Sequence, residues 1–442
     1  MIEAHSNGEA DLLTDVLSYK LPITATYFTD RKSVTFYASG SNEYSTQGTK
    51  LIKLAINGDG WMDPSTFRIA FDVLNTDLAP DALLRPLSGG WSFFRRLRIL
   101  SGGTILEDIS EFNRCQELFT ILINKNSKVN IDAESFGCPA WDYTTPETIA
   151  NFPGIPGGQT QTVIFTPLSG ILSQPKFLPL RYANLVFELE LVSDNTLPFV
   201  LNNILPFSTT NTSNSWKIQN VQVKVDVCTL DNNLENGYIA HLLSGKSFPI
   251  NYSTYISSFQ SILSGTTGQQ KVRINISRSL SRLKSVFITL DKANTNASAV
   301  YKEFNNFYSP MMTTSNETIL GTTGEIEFQL QLANTLYPEY PIRSHGESFY
   351  QLRKTLGIQS SALHSFNISA QEYKRRKFVL AIDTETLLSM AFTGKNTKSG
   401  ELLNIRLDNI GTDSSKYAHG IYTILHADCI MEISDSGVRV SD

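Results

Sequence analysis

Histidine is the residue on which metal or acid–base chemistry would first be expected to turn, and the chain carries six: His5, His241, His345, His364, His419 and His426. None falls into an HxH, HxxxH or HExxH spacing; His419 and His426 stand seven apart in a loop-to-strand stretch. A metal enzyme on a β-sandwich needs clustered imidazoles with a carboxylate, so each histidine reads as an isolated structural or surface residue. The four cysteines, Cys115, Cys138, Cys228 and Cys429, show no CxxC or other metal-type spacing. They read as buried small hydrophobes in a reducing setting. A serine nucleophile would want Gly-x-Ser-x-Gly after a strand. The nearest matches, Leu87-Ser88-Gly89-Gly90 and Leu100-Ser101-Gly102-Gly103, read as turns between strands. Gly394-Lys395-Asn396-Thr397 lacks the upstream glycine of a phosphate loop. The carboxylate pairs Glu325/Glu327 and Asp383/Glu385 recur at the two-residue period of a solvent-facing strand. The sequence therefore predicts no catalytic residue, no cofactor site and no metal site.

Two further features could bind rather than catalyse. Leu336-Tyr337-Pro338-Glu339-Tyr340-Pro341-Ile342-Arg343 is rich in aromatics, and its tyrosines could stack on a carbohydrate. The competing reading is an anchor packing a strand end against the next helix, since its prolines cannot donate to a ladder. Lys374-Arg375-Arg376-Lys377 is the densest basic run, and it reads as a solvated strand entry or subunit contact before a phosphate site. Sequons such as Asn251, Asn275 and Asn367 are expected by chance in so Asn- and Ser-rich a chain.

Charge supports the same exclusions. Only 18% of the 442 residues are charged, and the formal net charge is −5. The first 15 residues carry Glu3, Glu9, Asp11 and Asp15 and no Lys or Arg, so a nucleic-acid-wrapping basic arm is not expected. No apolar leader or 18-residue apolar run occurs, so neither a signal peptide nor a membrane span is expected.

The elements that would position these residues are mostly strands. In the first half they fall at Ser33–Ser39, Lys50–Ile56, Thr66–Leu74, Phe93–Leu100, Thr162–Phe165, Phe177–Leu180, Leu185–Val192 and Trp216–Cys228. Ile109–Asn124 reads as a helix capped by Asp108 or Ser110. Residues 125–160, with repeated Pro and Gly, read as a long exposed loop, as does Ser208–Ser215. Residues 10–18 read as a short amphipathic helix and Asp231–Ser244 as a helix at the join. In the second half the strands fall at Phe248–Ile256, Lys271–Ser277, Leu283–Asp291, Glu325–Leu332, Lys377–Asp383, Ser389–Thr393, Leu402–Leu407 and Tyr422–Ile433. Ser309–Gly324 reads as a polar loop. Gly346–Leu356 reads as the helix of this half, with Gly357 as its stop.

The two halves end alike. Ile218–Cys228 alternates into Asp226-Val227-Cys228, and Ile421–Ile433 does something similar around Asp428-Cys429. Length alone favours two cores. The pattern predicts an all-β chain of two tandem eight-stranded jelly rolls, each with an embedded short helix. Its expected divisions are an N-terminal arm at 1–20, a first roll at 21–230 and a second at 231–442.

Several stretches carry a family resemblance in the right order. Arg95-Arg96-Leu97-Arg98-Ile99, Gly103 to Glu107-Asp108-Ile109, Asn113-Arg114, and Phe177-Leu178-Pro179-Leu180 resemble the first domain of double jelly-roll major capsid proteins. Tyr337 to Ser344, Glu347 to Leu352, Leu356-Gly357, and Phe392 to Gly400 resemble the second domain of those of Polinton/Maverick elements, adintoviruses and virophages. The resemblance implies a non-enzymatic virion protein of an icosahedral DNA virus or virus-like element. It implies homotrimers that form pseudo-hexagonal capsomers tiling the shell, made in the cytoplasm or assembled in the nucleus of a host cell. The implied partners are other copies of the chain, penton and minor capsid proteins and an internal membrane, with no sequence-specific nucleic acid. The alternatives weighed beside it are a two-domain carbohydrate-binding β-sandwich and a carbohydrate-active enzyme with acids converging in one cleft.

Overall fold

The computed structural model describes residues 27–136, 154–199, 212–262, 271–292, 307–309, 326–357, 368–375, 377–385, 394–398, 403–408 and 418–442. The first half supplies β1 (Phe28–Ser39), β2 (Leu51–Ile56), β3 (Trp61–Asn75), β4 (Phe94–Ser101), β5 (Thr104–Ile109), β6 (Thr160–Phe165), β7 (Leu185–Leu191) and β8 (Trp216–Leu230). The second supplies β9 (Phe248–Ser261), β10 (Lys271–Ile276), β11 (Leu283–Lys292), β12 (Glu327–Leu332), β13 (Thr335–Ile342), β14 (Val379–Asp383), β15 (Leu403–Asp408) and β16 (Ala418–Ser434), then a short β17 (Gly437–Ser441).

Strand order repeats. One sheet of the first half runs β1-β8-β3-β6 and the other β2-β7-β4-β5, joined where the tip of β1 at Ala38 and Ser39 crosses to β2. In the second half the orders are β9-β16-β11-β14 and β10-β15-β12-β13. Adding eight to each label of the first half gives the second. All these ladders are antiparallel, and neighbours in a sheet are rarely neighbours in sequence, the Greek-key wiring of a jelly roll. The two similar endings are β8 and β16, the strands that lie second in their sheets and pair on both sides.

The alternation in sequence produces the layers. Leu185, Phe187, Leu189 and Leu191 on β7 are buried while the residues between them are partly exposed. Phe67 stacks on Phe187 at 4.6 Å across the first sandwich, and Phe71 meets Phe93, Phe94 and Phe165 edge-on. Gly102 and Gly103 both have positive φ, which lets two residues reverse the chain between Ser101 and Thr104. That is the turn expected of the Ser-Gly-Gly sequence.

Helices fill the connections between the fifth and sixth strands of each roll. In the first these are α1 (Phe112–Ile121) and α2 (Lys125–Glu134); later come a single turn α3 (Gly170–Ser173) and, at the join, α4 (Asn232–Leu243). The second roll has α5 (His345–Thr355) and α6 (Ala370–Arg375). Ser344 and Glu347 form a reciprocal capping box on α5, and Gly357 follows it at φ +68°.

Five readings need correction. Neither Asp108 nor Ser110 caps α1: its N-cap is Glu111 in the left-handed region, with no side-chain cap, because Asp108 is paired on β5. Residues 125–134 are helical instead of loop, capped by Asn124, whose side chain accepts from Ser127. The segment at Thr104–Ile109 is a full strand. Thr335–Ile342 is also a strand, and its prolines are tolerated because β13 lies at a sheet edge. Phe177–Leu180 reduces to a two-residue ladder at Leu178–Pro179. The expected helix at 10–18 and strand at 389–393, and most of the loops at 208–215 and 309–324, lie outside the described residues.

Candidate functional site

The predicted features scatter. His241 stacks on Phe248, His345 lies against Ser309, and His426 stacks on Tyr255. Among the described residues no group of three His, Cys, Asp or Glu is placed to hold a metal. Cys115, Cys228 and Cys429 are free and buried; burial raises the thiol of Cys429 to about 12, far from a reactive thiolate. Glu327 pairs with Arg343, and Glu385 pairs with Lys284. Lys377 of the basic run is buried and pairs with Glu372 at 2.8 Å, so it is structural. Lys395 lies over the Tyr337 ring at 5.6 Å, while Tyr340 is 79% exposed. His5, His364, Cys138, Glu325 and Arg376 lie outside the described residues.

What the fold does assemble is a junction between the rolls, and its central element is α1. A surface helix exposes one face, but Phe112 to Leu118, Thr120 and Ile121 are all buried. The outer side of α1 lies on the β9-β16-β11-β14 sheet, where Phe119 meets Tyr255 at 4.7 Å and Phe287 at 5.2 Å. Arg114 lies over Phe307 at 4.6 Å and over Tyr422 at 4.7 Å. A guanidinium held against two desolvated rings contributes about 2 kcal/mol.

Burying α1 all round forces its other polar side chains to find partners. Glu117 accepts from the Ser88 hydroxyl and from Trp91 Nε1 at 2.9 Å. Gln116 donates to the Thr166 carbonyl at 2.7 Å and accepts from the Leu168 amide. Beside them Lys128 of α2 is buried, and burial pulls its ammonium down to about 8.

The edges of the two rolls meet next to α1. The Tyr252 hydroxyl on β9 donates to the Leu106 carbonyl on β5 at 2.7 Å, and the Thr104 hydroxyl donates to the Val438 carbonyl at 3.1 Å. Gly170 on α3 is so close that a Cβ there would stand 1.7 Å from the Ser253 carbonyl oxygen. Glu107 lies at the centre, accepting from the Ser169 hydroxyl and from the amides of Gly170 at 2.9 Å and Ile171 at 3.4 Å. Burial pushes its carboxyl up to about 7, against the opposing pull of those donors and of Thr254. A cleft of about 420 Å³, lined by Thr104, Glu107, Thr254, Ser257 and Arg278 among others, opens beside it. The sequence places Glu107 and Arg114 in stretches that carry the family resemblance but gives neither a role, and Glu117 was not named. A further signal was three charged residues falling within a strand pattern and a helix that also carry Leu106, Ile109, Phe112, Leu118 and Ile121.

No family model matches the chain, and no curated protein does. Solved structures do. The chain of PBCV-1 VP54 fitted into a reconstruction of the virophage Sputnik aligns at a TM-score of 0.62 and 11% identity, covering 96% of this chain and 100% of that one. The 3.5 Å Sputnik virophage structure aligns at 0.59 and 10% identity, covering 96% and 90%. The Faustovirus major capsid protein aligns at 0.54 and 8%, covering 96% and 94%. The fold is the double jelly roll of viral major capsid proteins. Among the described residues, α1, α3 and the β5–β9 contact hold one roll of this double jelly roll against the other.

Proposed function

We propose that this double jelly roll is the major capsid protein of an icosahedral DNA virus or virus-like element, and that it has no catalytic role. The observation that carries the reading is the end-to-end likeness: 96% of this chain aligns with nearly the whole of capsid chains, with no large unit left over on either side. The internal repeat supports it physically, because two similar walls per subunit let three subunits approximate a hexagon. Its arm is residues 1–20, its first roll 21–230 and its second 231–442. The subunit forms homotrimers, which pack laterally as capsomers of a virion shell and meet penton and minor capsid proteins at its vertices and seams. An internal membrane beneath the shell is a further partner; nucleic acid is not bound by sequence. Assembly takes place in the cytoplasm or nucleus of the host cell. Sedimentation of the purified chain tests the proposal with negative-stain microscopy. A trimer with a pseudo-hexagonal outline is expected, and a monomer at every concentration overturns it.

A further inference from the structure

The cleft of about 420 Å³ beside Glu107 lies within the size range of small-molecule sites. Its walls come from both rolls: Thr104 to Asp108 from the first, and Thr254, Ile256 and Ser257 on β9 from the second. Two groups in these walls are left incomplete. Ser257 is only 8% exposed, and its hydroxyl has no hydrogen-bond partner among the described residues. A hydroxyl buried in this way costs stability unless something in the cleft satisfies it. Glu107 accepts several hydrogen bonds but has no Lys or Arg against it among the described residues. The other carboxylates of the cleft are already matched. Asp108 is held by Arg96 at 2.7 Å, and Asp442 by Lys398 at 3.0 Å and Arg278 at 3.7 Å. The missing complement is therefore one positive charge that can also donate hydrogen bonds.

We propose that the cleft binds a primary alkylammonium ligand, its N–H groups donating to the Glu107 carboxylate and the Ser257 hydroxyl. An ammonium has three donors and no acceptor, which suits a carboxylate and a hydroxyl together. A bare metal ion fits less well, since among the described residues no group of three His, Cys, Asp or Glu is placed to hold one. An anion would meet three carboxylates and a single guanidinium. The alkyl stem has a lining of its own in Ile256 and Val440, both partly buried, and in Ile105, which is 44% exposed. Proton linkage follows from the same contact. The Glu107 carboxyl titrates near 7, so below that pH the ligand must displace its proton. Cys115, Tyr252, Tyr255 and Cys429 share the electrostatic field of Glu107, and burial raises each of them further above neutrality. The proton given up is therefore that of Glu107.

Calorimetric titration of the full chain with n-butylammonium chloride tests the proposal. Tetramethylammonium chloride, which carries the charge without an N–H, is the control. One saturable site per chain is expected for butylammonium, about tenfold tighter at pH 8 than at pH 6 as Glu107 loses its proton. Tetramethylammonium should not compete for it. Ser257→Ala removes a hydroxyl that has no partner to lose, so it should keep the wild-type melting temperature while weakening binding about tenfold. Glu107→Gln should abolish the pH dependence together with most of the affinity. Equal binding of the two cations, an affinity independent of pH, or wild-type affinity in Ser257→Ala overturns the proposal. So does the absence of saturable binding, which would mean that the cleft holds water alone.

Discussion

The Tyr252 hydroxyl on β9 donates a 2.7 Å hydrogen bond to the main-chain carbonyl of Leu106 on β5, joining two sheet edges 146 positions apart in sequence. Burial raises the pKa of this hydroxyl, so it remains a donor across the accessible pH range. The bond gives the roll–roll junction an orientation that apolar contact alone would leave free to slide.

Tyr252→Phe keeps the ring and removes the donor, leaving a buried carbonyl short of its partner. The expected loss is about 1–2 kcal/mol, read as a lower urea midpoint at unchanged slope. An unchanged midpoint would show that this bond does not hold the junction.

Gly170→Ala asks for space that is already occupied. The new methyl would lie 1.7 Å from the Ser253 oxygen, a backbone atom that cannot rotate away, so α3 or β9 must move. Overpacking of this kind costs about 3 kcal/mol. Protease cleavage near the join at α4 should rise with it, while a Gly237→Ala control, whose Cβ meets nothing within 4 Å, should not behave so.

Phe119→Ala tests the helix side of the same junction. It removes a ring that packs on Tyr255 and Phe287 of the second roll, and truncations of this size cost about 3–5 kcal/mol when the site is fully buried. Phe119 is only partly buried, so the lower end is expected, seen as a fall in melting temperature by calorimetry.

The strands of both rolls were legible because one face of each is buried, which writes a two-residue period into the sequence. Leu185 to Leu191 is the clearest case. β5 escaped because Glu107 and Asp108 interrupt its period: the first faces the second roll and the second pairs with Arg96. β13 escaped because proline normally argues against a strand, and only its edge position makes two tolerable. α1 was legible as a helix, yet its role was not. A helix buried all round by two rolls has polar residues on every side, and nothing local in sequence says which roll receives Arg114.

Two buried histidines make the second roll sensitive to acid. Burial lowers His345 and His426 from 6.5 to about 4 each. The unfolded chain then binds more protons between those values, so stability is full above pH 6.5 and is lost as pH falls toward 4. Each contributes on the order of 3 kcal/mol across that window. His426→Phe, which retains a ring to stack on Tyr255, should flatten the acid limb of the stability profile by that amount. An identical acid limb in the variant would count against a neutral, buried His426.

Glu107 acts in the same pH range with the opposite sign. Its folded carboxyl titrates near 7 against an ordinary 4.5, so the folded state holds the proton more tightly. The contribution is full below pH 4.5 and is lost as pH rises through 7, again on the order of 3 kcal/mol. Because the histidines offset it, the wild-type profile alone does not isolate it; the difference from Glu107→Gln does. Urea midpoints measured from pH 4.5 to 8 should show the wild type losing stability relative to the Gln variant as pH rises. The amide oxygen can replace the carboxylate oxygen that accepts from Ser169 and Ile171, while the Gly170 amide loses its acceptor, a pH-independent cost. A constant difference across the series would mean that Glu107 keeps one charge state throughout. The four donors around it would then outweigh its burial.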